Sequence, residues 1–181
     1  MSDVIRLTLV SHAMTDAMTA ARFPDNEPLN GTGLQVSAMR FGATQLTAVS
    51  GPEQRCLQTA ELLGLQPVVE PLLADLNCGR WRGETLGALD PADVGAWLDD
   101  PASAPHGGES VAELIDRVAG WLSSLTTRPS RTVAVTHPAV VRAAILLALD
   151  APPKSFWRID IGPASRTEMH FRGAAWTLRL L

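Results

Sequence analysis

The chain has 181 residues, room for one domain or two very small ones at about 100 to 200 residues each. Its composition, 46% hydrophobic, 19% charged and 5% aromatic, excludes intrinsic disorder, and a chain of this size buries about 70% of its unfolded surface without needing disulfides or a structural metal. With 15 Lys+Arg against 19 Asp+Glu the net charge is −4 and no basic tract stands out, so the electrostatic footprint of a nucleic-acid binder is missing.

The longest uninterrupted apolar stretch, residues 143–149, is far short of the roughly 20 residues that span a bilayer. The opening MSDVIRLTLV lacks a signal peptide's charged start, long apolar run and cleavage site. A soluble, cytoplasmic protein without a membrane partner is expected. Cys56 and Cys78 show no metal-type spacing and read as packing residues in a reducing compartment.

In chain order, residues 5–10, 46–50 and 131–136 are short β-rich runs, and the first and third are apolar enough for buried parallel strands. A short helix is expected over residues 34–41. In SGPEQRCLQTAELLG, Ser50 and Glu53 have capping-box spacing, Pro52 suits a first helical turn and Gly64 suits a stop. Residues 71–105 mix Gly, Pro, Trp and Asp and read as an irregular insertion with one helix near 92–98. Ser110 and Glu113 form a second capping box ahead of Val111, Leu114, Ile115, Val118 and Leu122 at helical spacing. The third strand then hands over to a helix that starts at Pro138 and ends before Pro152 and Pro153. Strands alternating with helices predict a single α/β domain over 1–181, a three-layer sandwich whose mostly parallel sheet carries helices on both faces. Its ligand site is expected beyond the strands' carboxyl ends.

Three groups fall there: Ser11 with His12, the stretch from Ser50 to Arg55, and Thr136 with His137. Any one of these histidines alone would read as a structural or solvated residue. Together with an arginine one turn into a helix, whose amides favour anions, they suit a phosphate. LTLVSHAMT, PLNGTGLQVSA, SGPEQRCLQTAELLG, GGESVAELIDRV and VAVTHPAVVRAA resemble, in order, the motif blocks of the histidine phosphatase superfamily, which includes phosphoglycerate mutases and many small phosphatases. The resemblance runs over nearly the whole chain.

That resemblance implies roles position by position. His12 matches the nucleophile that takes the phosphoryl group, Arg55 a phosphate clamp, and His137 the second histidine that steadies the transferring group. Asp75 stands where small phosphatases of the family carry a glutamate as general acid; Glu84 and Glu109 are the alternatives, and Glu109 has an equal claim to orienting a histidine. Ser11 departs from the pattern, because the family has arginine there and a serine hydroxyl cannot supply its charge. Arg22 is the first candidate to replace that charge, with Arg80, Arg82 and Arg142 behind it. Trp81 is a candidate for stacking on substrate. No metal or other cofactor is implied, and His12, His137 and Asp75 have no metal-ligand spacing. The expected activity is hydrolysis of a small phosphorylated metabolite through phosphohistidine, weakened by the lost arginine. A degenerate member that binds a phosphorylated ligand or a protein without turnover is the alternative. A phosphoglycerate mutase is less favoured because the chain is short between the second and fourth motifs.

Overall fold

The structure, a computed structural model, describes residues 4–35, 41, 46–127 and 130–180. Among these residues β1 (Ile5–Ser11), β2 (Thr47–Ser50), β3 (Val68–Val69), β4 (Arg131–Thr136), β5 (Arg166–Arg172) and β6 (Ala175–Arg179) form one sheet in the order β3-β2-β4-β1-β5-β6. The first four neighbours run parallel, while β5 and β6 are antiparallel. The mostly parallel sandwich is therefore the observed fold, with an antiparallel hairpin at one edge that the apolar-run criterion overlooks. Its signal is alternation: Arg166, Glu168, His170 and Arg172 interleave with Thr167, Met169 and Phe171, and Met169 is the buried one.

Leu7 and Leu9 of β1 and Ala134 of β4 pack with α4 (Val111–Leu125) and α5 (Pro138–Ala148) on one face. Val10, Val133 and Val135 pack with Cys56, Ala60 and Leu63 of α2 (Gln54–Leu62) or its cap on the other. Being covered on both faces is why β1 and β4 read as continuous apolar runs.

The helix starts are mixed in outcome. Ser110 Oγ accepts from the Glu113 amide and the Glu113 carboxylate accepts from the Ser110 amide at 2.7 Å, the reciprocal cap expected of α4. Ser110→Ala is expected to cost about 1 kcal/mol and to lower the melting midpoint by roughly 2–4 °C, measured by thermal unfolding. Pro138 occupies the first turn of α5 as expected. At α2 the expected box does not form: Glu53 is itself the N-cap residue, without a side-chain cap bond, and Ser50 Oγ donates to Gly51 O. Pro52 precedes the helix, and Gly64 follows it at φ +70° as the stop residue. Of the helix expected over 34–41, residues 36–40 lie outside the described residues, and Gly33–Gln35 form a single 3-10 turn.

The stretch after β3 runs through 3-10 turns at Pro71–Leu73, Gly79–Trp81 and Leu86–Ala88 to α3 (Pro91–Asp99). It is anchored by aromatic rings: Trp81 lies 5.3 Å from Phe23, 5.5 Å from Trp97 and 5.0 Å from His106 between centroids. Parallel register levels the carboxyl ends of the central strands, since Ser11 pairs with Thr136 and Ser50 with Val135. His12, Gly51 and His137 thus leave the sheet at one height, tied by His12 N–H to Thr136 O and Gly51 N–H to Val135 O.

Candidate active site

His12 is almost fully buried, and its ring lies edge-on to that of His137 with centroids 5.2 Å apart. Its Nδ1 sits 2.8 Å from Ala13 O. A carbonyl only accepts, so Nδ1 carries the proton and Nε2 keeps its lone pair. Burial first, then the charges of His137 and Arg55, press the His12 pKa down to about 4, which leaves the imidazole neutral at neutral pH. The loop after it is held by Thr59, whose Oγ1 accepts from Ala13 N–H and donates to Arg55 O. The Thr of the QTA triplet is therefore a brace for the histidine loop. Gly33 of the PLNGTG segment backs the same loop: a Cβ there would meet Met14 O at 2.2 Å, so only glycine lets the two backbones approach.

His137, at the N-cap of α5, is wholly buried. Its Nε2 contacts Glu53 Oε2 at 2.7 Å and Cys56 Sγ at 3.3 Å, while Nδ1 faces Asp75 Oδ2 at 3.3 Å. Burial opposes its charge, but Asp75, Cys56 and Glu53 outweigh burial and raise its pKa to about 10. Arg55, 1% exposed, donates from Nη2 to Asp75 Oδ2 at 2.7 Å and lies 3.9 Å from Glu27, while its buried Nε and Nη1 have no hydrogen-bond partner among the described residues. Burial would push the Asp75 carboxyl up, yet His137, Arg55 and His12 hold it below the usual carboxylate range. Asp75 is thus held as an anion bridging the arginine and the second histidine.

The remaining expected residues separate sharply. Arg22 and Arg142 both line a crevice whose walls include His12 and Asp75. Arg22 is exposed, whereas Arg142 Nε donates to Ile159 O and its guanidinium lies over Phe156 and Trp157. Arg80 instead pairs with Asp93, and Arg82 donates to Asn77. Ser11 is fully buried, and its Oγ has no hydrogen-bond partner among the described residues. Glu84 is exposed and does not line the crevice. Glu109 is not among the crevice-lining residues and orients no histidine: both its carboxylate oxygens accept from Arg117 at 2.8 Å. Arg117 in turn donates to the carbonyls of Leu72, Ala74 and Asp75. The glutamate of the GGES block thus positions the Asp75 segment from behind. Trp81 is buried in the aromatic cluster, and it is Trp97 and Trp157 that reach the crevice.

Reading from sequence misses two residues. Glu53, which its spacing marks as a helix cap, accepts from His137 and from the Asp75 amide at 2.9 Å, and His137 holds its carboxyl below the usual range against the opposing effect of burial. Cys56, expected to serve packing alone, has its sulfur against His137. No local spacing signals either contact, because His137 is 84 residues from Glu53 and 81 from Cys56.

A sequence profile of the histidine phosphatase superfamily (branch 1) matches residues 7–181. The chain belongs to the histidine phosphatase superfamily. Glucosyl-3-phosphoglycerate phosphatase of Mycolicibacterium vanbaalenii is 32% identical over 192 residues, covering 92% of this chain and 84% of the relative. Phosphoserine phosphatase 1 of Hydrogenobacter thermophilus is 26% identical over 183 residues, covering 92% and 87%. At 30% identity the chain also matches 52% of the length of a bifunctional protein of Mycobacterium tuberculosis. A solved structure from Thermus thermophilus superposes with a TM-score of 0.77 at 28% identity, covering 98% of this chain and 99% of that one. Within this superfamily member, Arg55 from α2, Arg142 from α5 and Arg22 from the loop after α1 (Asp16–Thr19) join His137 as cations near His12 among the described residues. Among the described residues no helix is long and apolar enough to cross a membrane.

Proposed function

We propose that the protein is a phosphomonoesterase working through phosphohistidine at His12. One observation carries this reading: a neutral imidazole with a free Nε2 shares its crevice with Asp75, the partner of both Arg55 and His137. Nε2 attacks phosphorus as the ester P–O bond breaks, so one difficult displacement becomes two easier ones. The departing oxygen takes a proton from the Asp75–His137 pair. In the free protein that proton rests on His137; a phosphate dianion that takes over Arg55 and His137 removes the two charges that hold Asp75 ionised, so Asp75 becomes able to carry it. Water then attacks the phosphohistidine, the N–P bond breaks, and the water's proton returns to Asp75. Inorganic phosphate leaves with His12 neutral again.

The crevice also favours one kind of leaving group. Met18, Phe23, Leu76, Trp97 and Trp157 make its walls largely apolar, with Arg22 and Arg142 as the cations. Such a wall suits a flat or apolar alcohol better than a sugar or glycerate. Over a panel of phosphomonoesters at saturating and limiting concentrations, aryl esters are expected to exceed sugar and glycerate phosphates at least tenfold in kcat/KM. Trp157→Ala is expected to erase that preference and Arg22→Ala to raise KM for every ester. Equal rates across the panel would remove the leaving-group assignment, and no turnover of any ester would remove the phosphatase.

A binding protein without turnover is the second reading. It draws on Ser11, whose hydroxyl brings no charge, and on Arg55, already neutralised by Asp75 and Glu27. Saturable phosphate-ester binding with no product release in the same panel would favour it.

A further inference from the structure

We propose that Glu53, Cys56 and His137 form a binding site for a borderline divalent cation of the zinc class, with a fourth position left to water or an anion. Each offers one donor atom, and the three atoms lie within 4.8 Å of one another. The contacts are Glu53 Oε2 to His137 Nε2 at 2.7 Å and Cys56 Sγ to the same nitrogen at 3.3 Å. Zinc bonds of about 2.0 Å to nitrogen and oxygen and 2.3 Å to sulfur, at tetrahedral angles, set donors roughly 3.3–3.6 Å apart. The sulfur–nitrogen distance is already close to that. The carboxylate needs to withdraw by only about half an ångström, on a rotatable side chain that also lines an open pocket beside Arg55 and Asn77.

The surroundings are those of a metal-bound histidine. Ligating imidazoles commonly hand their second ring N–H to a carboxylate, which fixes the ring, and here Asp75 Oδ2 faces His137 Nδ1 at 3.3 Å. Glu53 is itself steadied through Oε1 by the Asp75 amide. Gly51 borders the site: a Cβ there would first meet Leu73 O at 2.7 Å and would also come within 3.1 Å of Glu53 Oε2 and 3.2 Å of His137 Nε2. Cys56 on α2 and His137 at the start of α5 are fully buried on rigid elements, so two of the three donors are preorganised. One sulfur, one nitrogen and one carboxylate select zinc or cobalt over magnesium or calcium, which take oxygen sets. Binding needs the thiolate and the neutral imidazole, so both protons leave as the ion enters.

This site does not rest on the phosphatase reading, and its test needs no turnover. The reduced, chelator-stripped full-length protein is titrated with Co2+ and then Zn2+. The expected result is one equivalent of Co2+ with tetrahedral d–d bands and a thiolate-to-cobalt charge-transfer band, both displaced by Zn2+. Cys56→Ala is expected to lose the charge-transfer band and to weaken Zn2+ binding by more than about tenfold, while Cys78→Ala keeps both. Should the alanine variant fail to fold by far-UV circular dichroism, the near-isosteric Cys56→Ser takes its place. No stoichiometric uptake of either ion, or a charge-transfer band that survives removal of the Cys56 sulfur, would overturn the proposal.

Discussion

Turnover of every phosphomonoester is expected to fall by four decades or more in His12→Ala, a loss of more than about 5 kcal/mol of transition-state stabilisation. The size of the effect follows from His12 supplying the atom that forms the bond, rather than one of several groups that share a load. The fold should survive, because His12 lies just past the end of β1 and its ring, among the described residues, makes one hydrogen bond, to the adjacent carbonyl. Phosphate binding should weaken far less than turnover, since Arg55 and His137 remain. The decisive measurement is acid-labile, alkali-stable incorporation of radiolabelled phosphate in rapidly quenched wild-type enzyme and its absence in the variant. Label persisting in His12→Ala would move the nucleophile elsewhere.

Arg55→Ala is expected to damage both stability and activity. The guanidinium is 1% exposed and neutralises Asp75 at 2.7 Å, with Glu27 at 3.9 Å. Removing Arg55 leaves Asp75 with His137 as its remaining charged partner at 3.3 Å, a partly compensated anion whose cost lies at or below the low end of the roughly 3–5 kcal/mol for breaking a buried pair. Adding Asp75→Asn to the alanine variant should recover part of that loss in urea unfolding, because the under-compensated anion is gone, while activity stays absent. The two effects are thereby separated by a double-mutant cycle. Arg55→Lys should rescue stability better than activity, since an ammonium neutralises charge but lacks the planar fork that holds two phosphate oxygens. A double variant no more stable than the single would show that Asp75 is not the reason Arg55 is needed for folding.

Comparison of α2 and α4 shows where reading from sequence succeeds. At α4 both partners of the Ser110–Glu113 box are local, and the spacing alone specifies the bonds. At α2 the same spacing misleads, because a buried, cationic His137 competes for the Glu53 carboxylate and wins. A charge-assisted bond is roughly twice as strong as a neutral one, so the tertiary partner displaces the cap. Glu109 misleads for the same reason in reverse: a motif residue serves the site through Arg117 and the carbonyls of the Asp75 segment, a role no spacing encodes.

Ser11 poses the sharper question. Sequence shows that the motif arginine is missing, and the lost charge argues for a feeble enzyme. Structure shows Arg22 and Arg142 on the wall that His12 and Asp75 share, cations drawn from a loop and from α5 that only folding brings into one crevice. It also shows Glu53 and Glu27 close to His137 and Arg55, negative charges that the motif comparison does not register.

Periodicity and short-range spacing were enough for the α/β class, the central strands, the α4 and α5 starts and the placement of His12, Arg55 and His137 beyond the strands' carboxyl ends. Each of these depends on residues within a few positions of one another, where backbone geometry is local. Three things required the folded chain: that His12 is held neutral by burial and by His137 and Arg55, that Asp75 is an anion shared by Arg55 and His137, and that Glu53 and Cys56 face His137. Those depend on desolvation and on charges meeting across 20 to 84 residues of chain, which linear spacing does not carry.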